Sequence, residues 1–405
     1  MKKNSILVLI YNSYKDPLFQ NLLLNYIKSL SEKKDFRFDL ITFEQTAYAM
    51  SKSEMIIESK KLKKWNIHWH PQVFHTGRFL LFQKFIDLLT TLWVLTKIKL
   101  KYRSTHIFAF ANVAAALSWM ASRILKMKLV IYSYEPHSEF LAELGHWKRS
   151  SLKYRLLSYL EKRAGIDASH VMTGTKHGVE LLKSFRSKAT IFRAPTAVDP
   201  NEFYFRATAR KTLRQKFNLD QKFVVLYIGK FGDLYYEQEV IHLFQGILDI
   251  IPKSHLMIVT RFNHDKVKTW LSSRKIPPES YSLNQDIANE EVKEYISAAD
   301  IGISAVPPSL SQKYRSPTKV AEYLLCGLPY ITCKGVSEDD EVAEQEGVGI
   351  VVEKFSRTEI RFKKSELLAI ASTEKEKLVA KHRSVGLEYR SKKKIDDLLF
   401  EIFTK

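Results

Sequence analysis

Short apolar runs alternate with helical stretches along nearly the whole chain, and this alternation limits the fold more than any other feature. Ser5–Ile10 (SILVLI), Phe38–Phe43, His106–Ala109, Lys128–Ser133 (KLVIYS), His170–Gly174 and Ala189–Ala194 read as strands. Helical stretches fall between them, at Gln20–Ser29, Val113–Leu125 and Ser150–Ala164. Strands separated by a whole helix cannot be joined as hairpins, so they pair in parallel, each helix packing back on a sheet face. The expected fold class is α/β.

The pattern then restarts. Phe223–Gly229 (FVVLYIG) opens a second set, the helix Glu237–Ile250 follows, and strands at His255–Thr260, near Leu283, at Asp300–Val306 and at Tyr330–Cys333 continue it. At 405 residues the chain exceeds what one hydrophobic core organises. Two doubly wound, Rossmann-like domains are expected, over residues 1–205 and 206–385. A terminal amphipathic helix over 386–405 would pack back toward the first domain. The polar segment Asp199–Asp220 reads as the linker. Ligands of such sheets sit outside the carboxyl ends of the strands, and a cleft between two such domains is the expected place for an active site.

Composition narrows the partners. The formal net charge is +20, an excess that must meet something negative. Basic residues cluster at Lys60–Lys64, Lys97–Arg103, Lys148–Arg155, Arg206–Lys216 and Lys392–Lys394. Nucleic acid is not the expected partner, because no recognition module or aromatic stacking strip accompanies the charge. Cys326 and Cys333 are the only cysteines, which excludes a disulfide framework and fits a reducing compartment. The opening MKKNSILVLIYNSY has a short apolar run without a small-residue cleavage site and reads as a buried first strand. The apolar segment Phe79–Leu100 is interrupted by Gln83, Lys84, Asp87 and Lys97 and reads as an amphipathic or buried helix, not a membrane span.

One stretch carries chemistry of its own: SPTKVAEYLLCGLP, Ser316–Pro329. Ser316 suits an N-cap and Pro317 a first helical position. Lys319 stands where a capping box would put an acid, so the free N–H groups and the helix dipole face a positive, open spot suited to phosphate. Glu322, one turn later, is placed to accept hydrogen bonds from a sugar diol. The alternative is an ordinary solvated helix. Upstream, AADIGISAVPPS is an apolar strand ending in a Pro-rich loop, which puts the helix start at a strand's carboxyl end.

Taken together, AADIGISAVPPS, SPTKVAEYLLCGLPYI and CKGVSEDDEVAEQEGVGIVV resemble the donor-binding half of GT-B glycosyltransferases, in particular a family-4-like group with a Ser-Pro-x-Lys-x-x-Glu-Tyr-Leu stretch. The resemblance spans most of residues 223–353. LYIGKFGDLYYEQEVIHLF fits the group's strand–loop–helix unit, and the first half resembles the acceptor domain through YSYEPHSEFLAEL and SHVMTGTKHGVELL. It implies two Rossmann-like domains facing a cleft and transfer of a sugar from a nucleotide-diphosphate donor, with retention and without an essential metal. Glu322 would hold the ribose hydroxyls, and the helix at Ser316, Pro317 and Lys319 the diphosphate. Gly229 and Gly232 would let the backbone approach the donor, and Lys230 would neutralise the departing diphosphate. Nucleobase contacts are expected from the loop Asn284–Ile287, with Ile287 among them. Tyr314 replaces a second Glu that many members carry near the transferred sugar.

On the acceptor side, Glu135 and His137 of YEPHSEF stand after the strand KLVIYS and are expected to contact the sugar or the acceptor hydroxyl, either one a conceivable general base. The alternative is a turn-capping cluster. SEDDEV (Ser337–Val342) fits helix-dipole compensation better than a metal site. His68 and His70 have no third ligand at zinc spacing and suit a core or surface strand. No cofactor beyond the nucleotide sugar is expected. The expected acceptor is a surface glycan or lipid-linked hydroxyl, with Lys97–Arg103 and the apolar segment before it docking on an anionic leaflet at the inner face of the cytoplasmic membrane. A nucleotide-sugar epimerase and a binding protein that keeps the fold without turnover are the rival readings.

Overall fold

The computed structural model describes residues 4–33, 36–285 and 287–404. The chain divides into two compact units, Met1–Pro195 with Lys393–Lys405, and Thr196–Lys392.

In the first unit, seven strands form one parallel sheet: β1 (Asn4–Ile10), β2 (Phe36–Glu44), β3 (Ile67–Val73), β4 (His106–Phe110), β5 (Lys128–Tyr132), β6 (His170–Thr173) and β7 (Thr190–Arg193). Their order is β3-β2-β1-β4-β5-β6-β7, so the winding reverses between β1 and β4. Strand β1 is buried from Ser5 to Ile10, as a central strand covered on both faces must be. The terminal helix Lys392–Thr404 belongs mainly to this unit: Phe403 packs edge-on against Phe108 at 5.4 Å, and Ser29 donates to Asp396 at 2.7 Å. His68 and His70 lie on β3, where His70 is 2.9 Å from buried Asp39.

The second unit holds a six-stranded parallel sheet: β8 (Phe223–Ile228), β9 (Ser254–Val259), β10 (Tyr281–Asn284), β11 (Ile301–Ile303), β12 (Tyr330–Cys333) and β13 (Gly349–Val352). The order is β10-β9-β8-β11-β12-β13, with the reversal between β8 and β11. Both sheets are therefore doubly wound and α/β.

Two local expectations need correction. Asp199–Asp220 is not an open linker, because a helix over Ala207–Lys216 forms within it. Arg210 and Arg214, one turn apart, both reach Asp300 (2.6 and 3.1 Å), while Leu213 and Leu219 are buried. The break between units falls at Pro195/Thr196 and the return at Lys392/Lys393, where the expected positions were 205/206 and 385/386. Val198 donates its N–H to the Arg390 carbonyl at 3.2 Å and pairs in parallel with Ser391, which holds the segment after residue 195 to the second unit.

Among the described residues no helix is long and apolar enough to cross a membrane.

Candidate functional site

The helix expected from SPTKVAEYLL runs from Thr318 to Leu325. Its start differs by one residue from expectation. Pro317 (φ −59°, ψ 125°) is the N-cap, and no side chain caps the first turn. Ser316 is not the cap, because its hydroxyl is already engaged: it accepts from the Thr196 N–H at 2.9 Å and from the Arg390 guanidinium. The first-turn N–H groups are thus left uncapped, and the turn contains no acid.

Packing fixes where this open end points. Val320, Ala321, Tyr323, Leu324 and Leu325 are buried, and the Tyr323 hydroxyl donates to the Ile303 carbonyl at 3.3 Å. Gly302 on β11 is required here, since a Cβ would come within 2.7 Å of the Tyr323 ring. The helix therefore lies directly on β11, and its start stands near the winding reversal between β8 and β11.

The loop after β8 meets it there. Gly229 has φ +141°, and a Cβ at that position would lie 2.5 Å from Lys319 Nζ. The Lys319 ammonium thus rests against bare Gly229 backbone, 4.8 Å from the Tyr235 ring centre. Gly232 (φ +77°) leaves room for Glu237. Lys230 points into solvent and pairs with Asp233 three residues on, a surface contact of small energy. Ile287 packs against the cluster containing Val320 and Tyr323, on the same sheet half as the helix. Asp286, within the expected nucleobase loop, lies outside the described residues. Tyr314 closes a short turn, Gln312–Tyr314, just before the helix.

Glu322 is the site's titratable acid. Burial pushes its carboxyl up from 4.5 to about 7, with Lys319 pulling the other way. No hydrogen-bond donor meets it among the described residues, so it retains its capacity to accept from a ligand diol.

In the first unit, Glu135 and His137 follow β5, both half-buried. The loop's N–H groups are satisfied by other residues: Glu135 N–H donates to Asn112 Oδ1 (3.2 Å), and His137 N–H donates to Glu161 Oε1 (3.0 Å). Glu161 is 3% exposed, also accepts from Ser138, and is pushed up from 4.5 to about 7 by burial. Sequence reading missed it. Its one signal is an acid in phase with the small residues Ala164 and Gly165 on the buried side of the helix Leu152–Asp167. Ala111 and Ser133, just after β4 and β5, have φ of +65° and +60°, a conformation that L-residues adopt only at a backbone cost.

The acids of SEDDEV begin the helix Asp339–Gln345. Asp339 pairs with buried Arg390, and Asp340 accepts the Gly335 N–H at 2.8 Å. Arg390 joins Ser316, the Thr196 carbonyl and Asp339, and nothing in its local sequence distinguishes it from a surface arginine in a basic run.

No family model and no curated protein matches the chain. Its fold has close counterparts among solved structures. HepE of Anabaena, solved with UDP and glucose, superposes with a TM-score of 0.72 at 16% identity, covering 99% of each chain. WaaG, a glycosyltransferase involved in lipopolysaccharide biosynthesis, gives 0.66 at 15% identity, again over 99% of each. A putative UDP-N-acetylglucosamine 2-epimerase from Listeria monocytogenes gives 0.53 at 11%, over 95% of this chain and 91% of that one. The chain has the GT-B fold that the sequence resemblance implied.

Proposed function

We propose that this GT-B chain is a retaining, family-4-like glycosyltransferase. It moves a sugar from a nucleotide-diphosphate donor to a hydroxyl of a glycan or lipid-linked acceptor. The observation that carries this reading is the meeting of an uncapped helix N-terminus, the Lys319 ammonium and bare Gly229 backbone near the winding reversal of the second sheet, with Glu322 one turn behind.

Each part has a task in transfer. Negative charge grows on the diphosphate as the glycosidic bond breaks. Fixed N–H dipoles and Lys319 stabilise that charge without reorganising, and in this reading no metal is required. A ribose diol donates its two hydroxyls to Glu322 and compensates the carboxylate's burial. Ile287 borders the nucleobase. Glu135 and His137, on the loop that Glu161 anchors, contact the transferred sugar or the acceptor hydroxyl. The second unit is the donor domain, the first the acceptor domain, and the protein works peripherally at the inner face of the cytoplasmic membrane.

The test is thermal-shift binding of UDP-, GDP-, ADP- and CMP-linked nucleotides to wild type and Glu322→Ala. Stabilisation by one diphosphate nucleotide, weakened in the variant, supports the donor site; no shift with any of them overturns it. The fold is shared with the Listeria protein, so turnover is then followed with and without a glycan extract. Turnover of the donor alone assigns an epimerase, dependence on the extract assigns transfer, and binding without turnover assigns a binding protein.

A further inference from the structure

The helix Leu80–Tyr102 is apolar on two opposite faces. Val94, Leu95 and Ile98 turn inward and are buried together with Asp87 and Thr91. Phe82, Phe85, Leu89, Trp93 and Leu100 fall within an arc of roughly 80° on the other side and are exposed, Phe82 by 65% and Trp93 by 59%. The helix Leu152–Asp167 repeats the pattern, with Glu161, Ala164 and Gly165 inward and Leu152, Leu156 and Tyr159 outward. Where the two helices begin, an apolar groove of about 430 Å³ opens, lined by Phe79, Phe82 and Leu152 and flanked by Arg78 and Lys153. A soluble monomer rarely leaves so much contiguous apolar surface uncovered.

Along these two segments the charge at the surface has one sign, and Glu139 beside them is taken up by Arg149 and Tyr154. Between Arg78 and Arg103 the only acid is Asp87, and between Lys148 and Arg163 the only acid is Glu161; both are buried. Lys97 folds over the Trp93 ring at 3.4 Å, and Lys153 lies 5.1 Å from the Trp147 ring centre. A stripe of aromatics and leucines with long cationic side chains along its edge, and no exposed carboxylate, complements lipid chains beneath a layer of phosphates. Within the expected basic cluster Lys97–Arg103, Lys99 is spent on the Leu125 carbonyl.

We propose that this face docks the first unit on an anionic phospholipid leaflet. Phe82, Phe85, Leu89 and Trp93 enter the boundary between headgroups and acyl chains, and the groove between Arg78 and Lys153 takes a lipid phosphate and the upper part of its chain. The proposal extends the reading of a membrane-borne acceptor, yet its test needs no donor. The full chain is sedimented with phosphatidylcholine vesicles, with and without phosphatidylglycerol. Binding is expected only with the anionic lipid. Phe82→Ser with Phe85→Ser should weaken it at least about tenfold, and Arg78→Gln and Lys153→Gln about fivefold each. All these positions line the outer surface, so melting temperature and nucleotide shift should stay at wild-type values. Absence of vesicle binding, or binding unchanged by the phenylalanine variants, overturns the proposal. So does a concentration-dependent dimer that Phe82→Ser abolishes, which would give this face to a second copy. Retained vesicle binding with no nucleotide shift would instead sink the transfer reading and leave the docking face standing.

Discussion

Two glutamates, Glu161 buried and Glu322 half-buried, set the behaviour at the scale of single residues. Glu322 and Glu161 are each raised from 4.5 to about 7, chiefly by burial. A carboxyl raised in the folded state binds its proton more tightly there than in the unfolded chain. Its contribution to stability is therefore full below about 4.5 and is lost as pH rises through about 7. Glu161→Gln should flatten the fall in melting temperature between those values, measured by calorimetry; an unaltered slope would show that Glu161 does not titrate there. Ligand binding has the opposite sign at Glu322, because a ribose diol favours the ionised carboxylate. Affinity for the nucleotide sugar identified by thermal shift should rise with pH through about 7 in wild type. In Glu322→Gln it should be weaker at the upper end and flat, by titration calorimetry.

At the scale of elements, the loop after β8 and the helix Thr318–Leu325 work as a pair. Gly229→Ala places a methyl group against Lys319 in a backbone conformation that L-residues rarely adopt. It should cost about 1–3 kcal/mol of stability and reduce nucleotide binding more than Lys230→Ala, whose ammonium pairs outward with Asp233. Equal losses in the two variants would place the diphosphate elsewhere. The helix start depends on Arg390, held between Ser316 and Asp339. Arg390→Met leaves the Asp339 carboxylate buried without its partner and should cost about 3–5 kcal/mol in urea unfolding. Pairing it with Asp339→Leu should restore much of that loss; no recovery would mean the arginine acts through Ser316 and Thr196 alone.

On the scale of the whole molecule, the chain leaves the first unit at Pro195 and re-enters it at Lys393. The terminal helix covers that unit's sheet with Ile395, Leu399, Ile402 and Phe403, all buried. Removing residues 393–405 uncovers Phe36 and Phe108, which that helix packs against. Thermal unfolding of the truncated chain should gain an early transition from the first unit while the second, and with it nucleotide binding, melts as before. A single unshifted transition would contradict this division of stability.

Local pattern alone was enough for the α/β class, for most strands of both parallel sheets and for the start of the helix after Pro317 to within one residue, because apolar periodicity and Gly and Pro positions act over a few neighbours; the last strand of the second sheet, Gly349–Val352, went unread. What it could not reach are contacts between residues far apart in the chain. Ser316 reads as a cap locally, but Arg390 and Thr196 claim its hydroxyl. Asp199–Asp220 reads as a linker by polarity, but Asp300 draws Arg210 and Arg214 into a packed helix. Glu161 looks like one charge among many until burial and the N–H groups of His137 and Ser138 make it the anchor of a loop. Residues 79–100 show their apolar content in sequence, yet only the fold decides which face is covered and which is left exposed. Short-range chemistry determined the elements. Desolvation and long-range pairing, which exist only once the chain has folded, decided the roles of individual side chains.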